Sequence, residues 1–123
     1  MTTSRARTDA ADRLTRVTGA LGLMWGVVLM ARGRDVWVAV DGRVPARVDE
    51  LALPVLGVRH FMQGGAQVMA PGRFQRLFVG VDVAHALSMV AVAAVDERRR
   101  RPALVSGVAA GAIAWLSATA YRW

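Results

Sequence analysis

Arg59, His60, Gln63 and Gln67 lie within one apolar stretch of this chain, and Asp82, His85 and Ser88 lie within the next. Arg59, Gln63 and Gln67 recur every four residues and share one helical face, while Asp82 and His85, three apart, are neighbours on theirs. Such groups suit three kinds of chemistry. An Arg–Asp ion pair can tie two helices together. A small polar cavity can hold an ion, a proton or a ligand headgroup. Two His on facing helices, here His60 and His85, can act as the axial pair of a bis-His haem. Catalysis has less behind it. Asp82, His85 and Ser88 are triad residue types, but they sit on consecutive turns of one helix, where side chains point outward and cannot relay a proton as a triad must. The chain has no Gly-rich phosphate loop, HExxH or nucleophile elbow, so no catalytic residue is assigned and the protein is read as a non-enzyme. It has no Cys, which excludes disulfides, thiol redox chemistry and Cys-ligated zinc or iron–sulfur sites, and no metal site is expected.

The elements that must carry these residues follow from length and patterning. A chain of 123 residues is one domain, 1–123. With 54% hydrophobic and 20% charged residues it has the apolar surface that a disordered chain lacks. The charges cluster. Residues 17–31 and 102–121 carry none, and residues 83–95 are interrupted only by His85. A membrane-spanning helix needs about 20 mostly apolar residues. A soluble amphipathic helix would show polar residues every three or four positions instead. Proline and glycine set the boundaries. Pro54 is read as a first-turn residue of the second helix, Pro71-Gly72 ends it, and Pro102 opens the fourth. The expected spans are residues 14–31, 53–70, 74–95 and 102–121, each roughly 27–33 Å long at the helical rise. Residues 32–52 are expected to form a short interfacial helix or turn with Trp37 at the headgroup level, since an open strand edge cannot sit in lipid. The fold expected is all-α: a four-transmembrane-helix bundle with an interfacial segment between helices 1 and 2. Asp9 and Asp12 break the basic N-terminus and no small-residue cleavage site follows Ala31, so the first helix is expected to be an uncleaved span.

The net charge is +7, and all 16 basic residues are Arg. Abundant Arg, Ala, Val and Gly indicate a GC-rich bacterial genome, and the expected location is the inner (plasma) membrane, multi-pass. With four spans, one end collects Arg5, Arg7, Arg13, Arg16, Arg73, Arg76 and Arg122, and the other Arg32, Arg34, Arg43, Arg47 and the run 98–101. Counts that close leave the positive-inside rule undecided, although the compact run favours a cytoplasmic loop between helices 3 and 4. The arginines flank apolar spans without an aromatic stacking platform, so anionic lipid headgroups are the expected partners and nucleic acid is not.

Arg59 and Asp82 lie at similar distances either side of the turn near residue 72, so an antiparallel hairpin of helices 2 and 3 brings them together at mid-membrane depth. An Arg or Asp at a helix centre costs about 2.5–3.5 kcal/mol on insertion scales, which pairing would offset. The expectation is an Arg59–Asp82 pair, with His60, Gln63 and His85 completing its hydrogen bonds. Gly22 and Gly26, with Gly19 on the same face, form a GxxxG motif in helix 1, and Gly107 and Gly111 form one in helix 4. Helix 4 adds a stripe of Ser106, Ala110, Ala114 and Ala118, and helix 3 has Gly80 and Ala84 at the same spacing. These positions are expected to pack helices, within the chain or in a homo-oligomer or larger membrane complex.

Three features together resemble a family of small four-helix bacterial membrane proteins, similar to the DoxX-like bundle in size and span count. They are the Gly-rich first helix ended by Arg32, the run Gly57-Val-Arg59-His60-Phe-Met-Gln63-Gly64, and the run Gly80-Val-Asp82-Val-Ala-His85. His60 and His85 stand where acidic residues are more usual in that family. The resemblance implies four helices and leaves the activity open, with the Arg–Asp pair as the common element. Two functions remain: a non-enzymatic accessory or structural membrane subunit, or a small transporter or ligand-binding bundle using an Arg59–Asp82–His85 pocket.

Overall fold

The computed structural model describes residues 2–121 of the chain; Arg122, counted above at the N-terminal end of the bundle, lies outside the described residues. Four helices follow one another: α1 Thr2–Asp41, α2 Arg47–Met69, α3 Gln75–Val95 and α4 Arg100–Tyr121. The described residues contain no strand. The chain runs up, down, up and down, so the start of α1, the α2–α3 turn and Tyr121 share one end. The loop 42–46 and the turn 96–99 share the other.

Two boundaries differ from the sequence reading. First, α1 is far longer than residues 14–31; at 40 residues it extends about 60 Å, twice a hydrocarbon core. It kinks at Arg32, whose backbone is non-helical (φ −135°, ψ 21°), so the part beyond the kink is the helical segment expected between helices 1 and 2. The kink lays Gly33 against α2, where a Cβ would come within 3.0 Å of Leu53. Second, α2 starts at Arg47, not near Leu53, which puts Pro54 inside the helix instead of in its first turn. Asp49 and Glu50 in the first turn favour the earlier start, because acidic side chains complement the N-terminal end of a helix dipole. Glycine supplies the left-handed backbone at both sharp bends, Gly42 (φ 73°) and Gly72 (φ 80°).

Backbones approach closest between α1 and α2, and the seam consists of glycine. A Cβ at Gly26 would sit 2.6 Å from the Gly57 carbonyl oxygen. One at Gly19 would sit 2.7 Å from Gln67 Cβ and 2.8 Å from the Gly64 carbonyl, and one at Gly64 would meet the Gly19 carbonyl. Gly19 and Gly26 are seven apart, as are Gly57 and Gly64, so the antiparallel helices keep register over two turns. On α1 the buried positions continue through Leu29 and Gly33 in alternating steps of three and four.

The second close pair is α3 and α4. The buried residues of α4 are Ala103, Gly107, Ala110, Ala114 and Ser117, again in steps of four and three. This corrects the expected stripe: Ala110 and Ala114 are on it, but Ser106 and Ala118 are only half-buried. A row of i+4 positions drifts around a helix of 3.6 residues per turn, whereas an average step of 3.5 keeps facing its partner. Of the expected GxxxG pair, Gly107 packs, its Cβ position lying 3.1 Å from Met89 Cβ. Gly111 and Gly80 face open space. A smaller contact joins α1 to α4, while α2 and α3, although joined by a short turn, do not pack backbone to backbone. The expected α2–α3 hairpin is therefore antiparallel without being close-packed: the glycine face of α2 is taken by α1, and the small face of α3, Gly80 and Ala84, is exposed.

Burial is inverted relative to a water-soluble domain. The buried apolar residues are mostly alanines, and no large side chain is fully buried. Exposed ones include Trp115 (71%), Val108 (70%), Val55 (69%), Met62 (67%) and Leu87 (66%). Three helices, α1, α3 and α4, are long and apolar enough to cross a membrane.

The glycine seam makes a direct prediction. Gly64→Leu should destabilise by about 1–3 kcal/mol, the usual cost of forcing extra atoms into a filled contact. Gly111→Leu should stay within about 0.5 kcal/mol of the native chain, as an open surface position does. Unfolding of the purified variants in detergent, followed by circular dichroism, measures both. Equal losses at the two positions would mean that the seam is misassigned.

Candidate functional site

The ring of helices runs α2, α1, α4, α3, and side chains close the remaining side. Arg59, midway along α2, donates from Nη2 to Asp82 Oδ1 of α3 at 3.0 Å. Gln63, one turn further along the same face, donates from Nε2 to Asp82 Oδ2, also at 3.0 Å. Each carboxylate oxygen thus has its own donor, and the Asp82 side chain is only 5% exposed against 24% for Arg59. The reach of Arg and Gln explains why α2 and α3 are coupled without backbone contact. Arg59 retains one buried donor, Nη1, that finds no acceptor among the described residues.

The other expected members of the cluster divide. His85 is not bonded to Asp82; its Nε2 shares a 2.8 Å hydrogen bond with Ser106 Oγ of α4, tying α3 to α4 instead. His60 is half-buried, and its main-chain oxygen faces Gly22 on α1 at 3.7 Å from that residue's Cβ position. Ser88 stands apart, exposed and donating to the Ala84 carbonyl of its own helix at 2.7 Å. This back-bonding is the ordinary fate of a helical serine. Gln67 is turned into the α1–α2 seam at 4% exposure, with its Nε2 lacking an acceptor among the described residues. A bis-His haem does not fit this arrangement: the His85 nitrogen is engaged by Ser106, and the space between α2 and α3 is spanned by the Arg59–Gln63–Asp82 cluster. No group of three or more metal-ligating side chains occurs among the described residues.

Two further polar devices escaped the sequence reading. At the N-terminal end, Thr15 donates to the Tyr121 hydroxyl at 3.1 Å, and Tyr121 donates to Asp12 Oδ1 at 2.8 Å, stitching α1 to the last residue of α4. At the opposite end, Arg99 donates to Asp49 Oδ1 of α2 at 2.7 Å and to Asp96 Oδ2 at 2.6 Å. The one available signal was the acidic first turn of α2 facing a basic turn, but the Arg run 98–101 reads as a topology marker when taken alone.

The Asp96 carboxyl sits below the ordinary carboxylate range. Desolvation, the largest single influence, acts to raise it, but the Arg99 side chain and the main-chain N–H groups of Arg99 and Arg98 together outweigh that effect. A depressed folded-state value means that the stabilisation is present above the unfolded value and is lost as pH falls through the folded one. Two grooves of the molecule lie elsewhere. One of 290 Å³ lies at the α1 kink and includes Arg32, Arg34, Asp35 and Glu50; one of 320 Å³ lies between the ends of α1 and α4. Neither is lined by Arg59, Asp82 or His85.

Removing either partner of the central pair should be costly. Arg59→Ala and Asp82→Ala are each expected to lose about 3–5 kcal/mol, with the double variant losing much less than their sum. A double-mutant cycle on stability in nanodiscs should return a coupling above about 1 kcal/mol. Additive losses would show that the pair does not hold α2 to α3. For the turn, a carboxyl titration by NMR should find Asp96 below its ordinary value in the native chain and restored toward it in Arg99→Gln. No difference between the two chains would remove Arg99 as the cause.

No protein family, curated protein or solved structure matches this chain in sequence or fold, so its affiliation rests on the arrangement of its own residues.

Proposed function

We propose that this chain is an integral membrane protein of the bacterial inner (plasma) membrane, crossing it four times and serving as a non-enzymatic structural or accessory bundle. The observation that carries the reading is the inverted burial: large apolar side chains face outward on every helix, and small or polar ones face inward. In water that arrangement would expose a large apolar surface with nothing to cover it. In lipid it is the favourable one, because helices there associate through small residues and polar contacts.

By the same argument we read α2 as a fourth span. Hydropathy averages around a helix, and Arg59, His60, Gln63 and Gln67 deprive α2 of the membrane-length apolar stretch that α1, α3 and α4 each have. Lipid meets only the outer face. On α2 that face carries Leu51, Val55, Val58 and Met62, all at least half exposed, while Gln63 and Arg59 are occupied by Asp82 and Gln67 lies in the seam with α1. The resemblance to small DoxX-like four-helix proteins is in keeping with this reading, since Gly57, Arg59, Gly64 and Asp82, four of the residues that carry it, are ones the bundle uses for packing and pairing, although Gly80 faces open space.

The structural role is favoured over transport because Asp82 is nearly sealed and both its oxygens are bonded within the chain. A ligand-binding bundle is the second reading, and one observation favours it: the unpartnered Nη1 of Arg59 beside the half-buried His60.

The protein is expected to fractionate with membranes and to stay there through carbonate extraction at high pH. Recovery in the soluble fraction without detergent would overturn the membrane reading.

A further inference from the structure

At each end of the bundle some arginines are paired within the chain and others are left free. At the end carrying the α1 kink, Arg32, Arg34, Arg43, Arg99 and Arg100 each hold a carboxylate within 4.0 Å, whereas the side chains of Arg47, Arg98 and Arg101 have no ion pair among the described residues. The groove at that end includes Arg32 and Arg34, whose partners Asp35 and Glu50 line it too, so its cations are already neutralised. At the N-terminal end, Arg5, Arg7 and Arg13 are exposed along α1 and have no hydrogen bond or ion pair among the described residues. Of the acids nearby, Asp12 is occupied by Tyr121.

The groove at this end lies between the first turns of α1 and the last turn of α4 and is lined by Arg7, Ala10, Ala11, Leu14, Thr119 and Ala120. Its volume of 320 Å³ is at the small end of the range for ligand sites. The floor is apolar. The Thr119 hydroxyl is bonded to the Trp115 and Leu116 carbonyls of its own helix, at 2.9 and 3.1 Å. Arg7 is therefore the polar group of this groove left without a partner among the described residues. Leu14 lies where α1 passes into its uncharged stretch, so the groove runs from a free guanidinium at its mouth to apolar surface continuous with the span.

We infer that this groove seats an anionic phospholipid, with its phosphate on Arg7 and the upper part of an acyl chain against Ala10, Ala11, Leu14 and Ala120. A guanidinium matches phosphate by charge and by paired N–H donors. The apolar floor selects a lipid over a free phosphate, which would leave those side chains uncovered. This inference rests on the membrane placement proposed above.

The test uses the full chain purified in detergent, titrated with phosphatidylglycerol or phosphatidylcholine and read by native mass spectrometry. One saturable phosphatidylglycerol should bind in preference to phosphatidylcholine. Arg7→Gln should weaken it about fivefold, the usual worth of one cation near a lipid surface. Ala10→Trp, a substitution at an exposed groove position, should block binding while leaving the thermal midpoint unchanged. Arg32→Gln, at the other groove, should leave binding as it was. Unchanged binding in Arg7→Gln, or an equal loss in Arg32→Gln, would overturn the assignment. Displacement by glycerol phosphate, which has no acyl chain, at equal concentration would overturn the choice of lipid over free phosphate. Failure of carbonate resistance would remove the membrane reading and this inference together, whereas a membrane-embedded protein with no preference for phosphatidylglycerol would remove this inference alone.

Discussion

The architecture depends on the absence of Cβ atoms at Gly19, Gly26, Gly57 and Gly64. At these positions any side chain would collide with the facing backbone, so α1 and α2 approach as closely as two helices can. That contact uses one face of α2 and sets the rotation of the helix about its axis. The rotation turns the Arg59 and Gln63 side chains toward α3, where Asp82 receives both. A helix turned even one residue further would carry Arg59 toward the outside, where a charge has no partner. The seam therefore determines whether the ion pair can form.

The bundle holds together by two kinds of contact with different ranges. Small-residue seams join α1 to α2 and α3 to α4 at short range. Long polar side chains bridge what the seams leave open: Arg59 and Gln63 across α2 and α3, Tyr121 between α4 and α1, and Arg99 between the α3–α4 turn and α2. His85 with Ser106 adds a polar contact inside the second seam. Large apolar side chains take little part, because they face outward. In an apolar solvent they gain nothing by turning inward, and dispersion between close backbones together with hydrogen bonds in a low dielectric supplies the attraction.

Although Gln67 and Gln75 keep buried polar atoms without a partner among the described residues, several polar residues of the interior are engaged by one another. Asp82 is the clearest case, with a donor on each oxygen and almost no exposure. Both ends carry paired and unpaired arginines: Arg32, Arg34 and Arg99 hold carboxylates at one end and Arg16 donates to the Val68 carbonyl at the other, while Arg5, Arg7 and Arg13 of α1 have no partner among the described residues.

Much of this was legible in the sequence. The uncharged stretches, the prolines at 71 and 102 and the glycine spacings determine an all-α chain of four helices with close boundaries for α3 and α4. The opposite charges at positions 59 and 82, at similar distances from one turn, are enough to pair them. These features are local, or depend only on helical rise along two adjacent elements. The tertiary structure decided which faces meet. That α2 packs on α1 and not on α3, that Gly107 is buried while Gly111 is open, and that His85 turns to Ser106 all depend on the rotation of each helix about its own axis. So does the Tyr121–Asp12 bond, made between opposite ends of the chain. Sequence spacing defines the rows of residues on a helix, but the choice of row that faces a neighbour is a competition among all the contacts, and it is settled only when the four helices pack together.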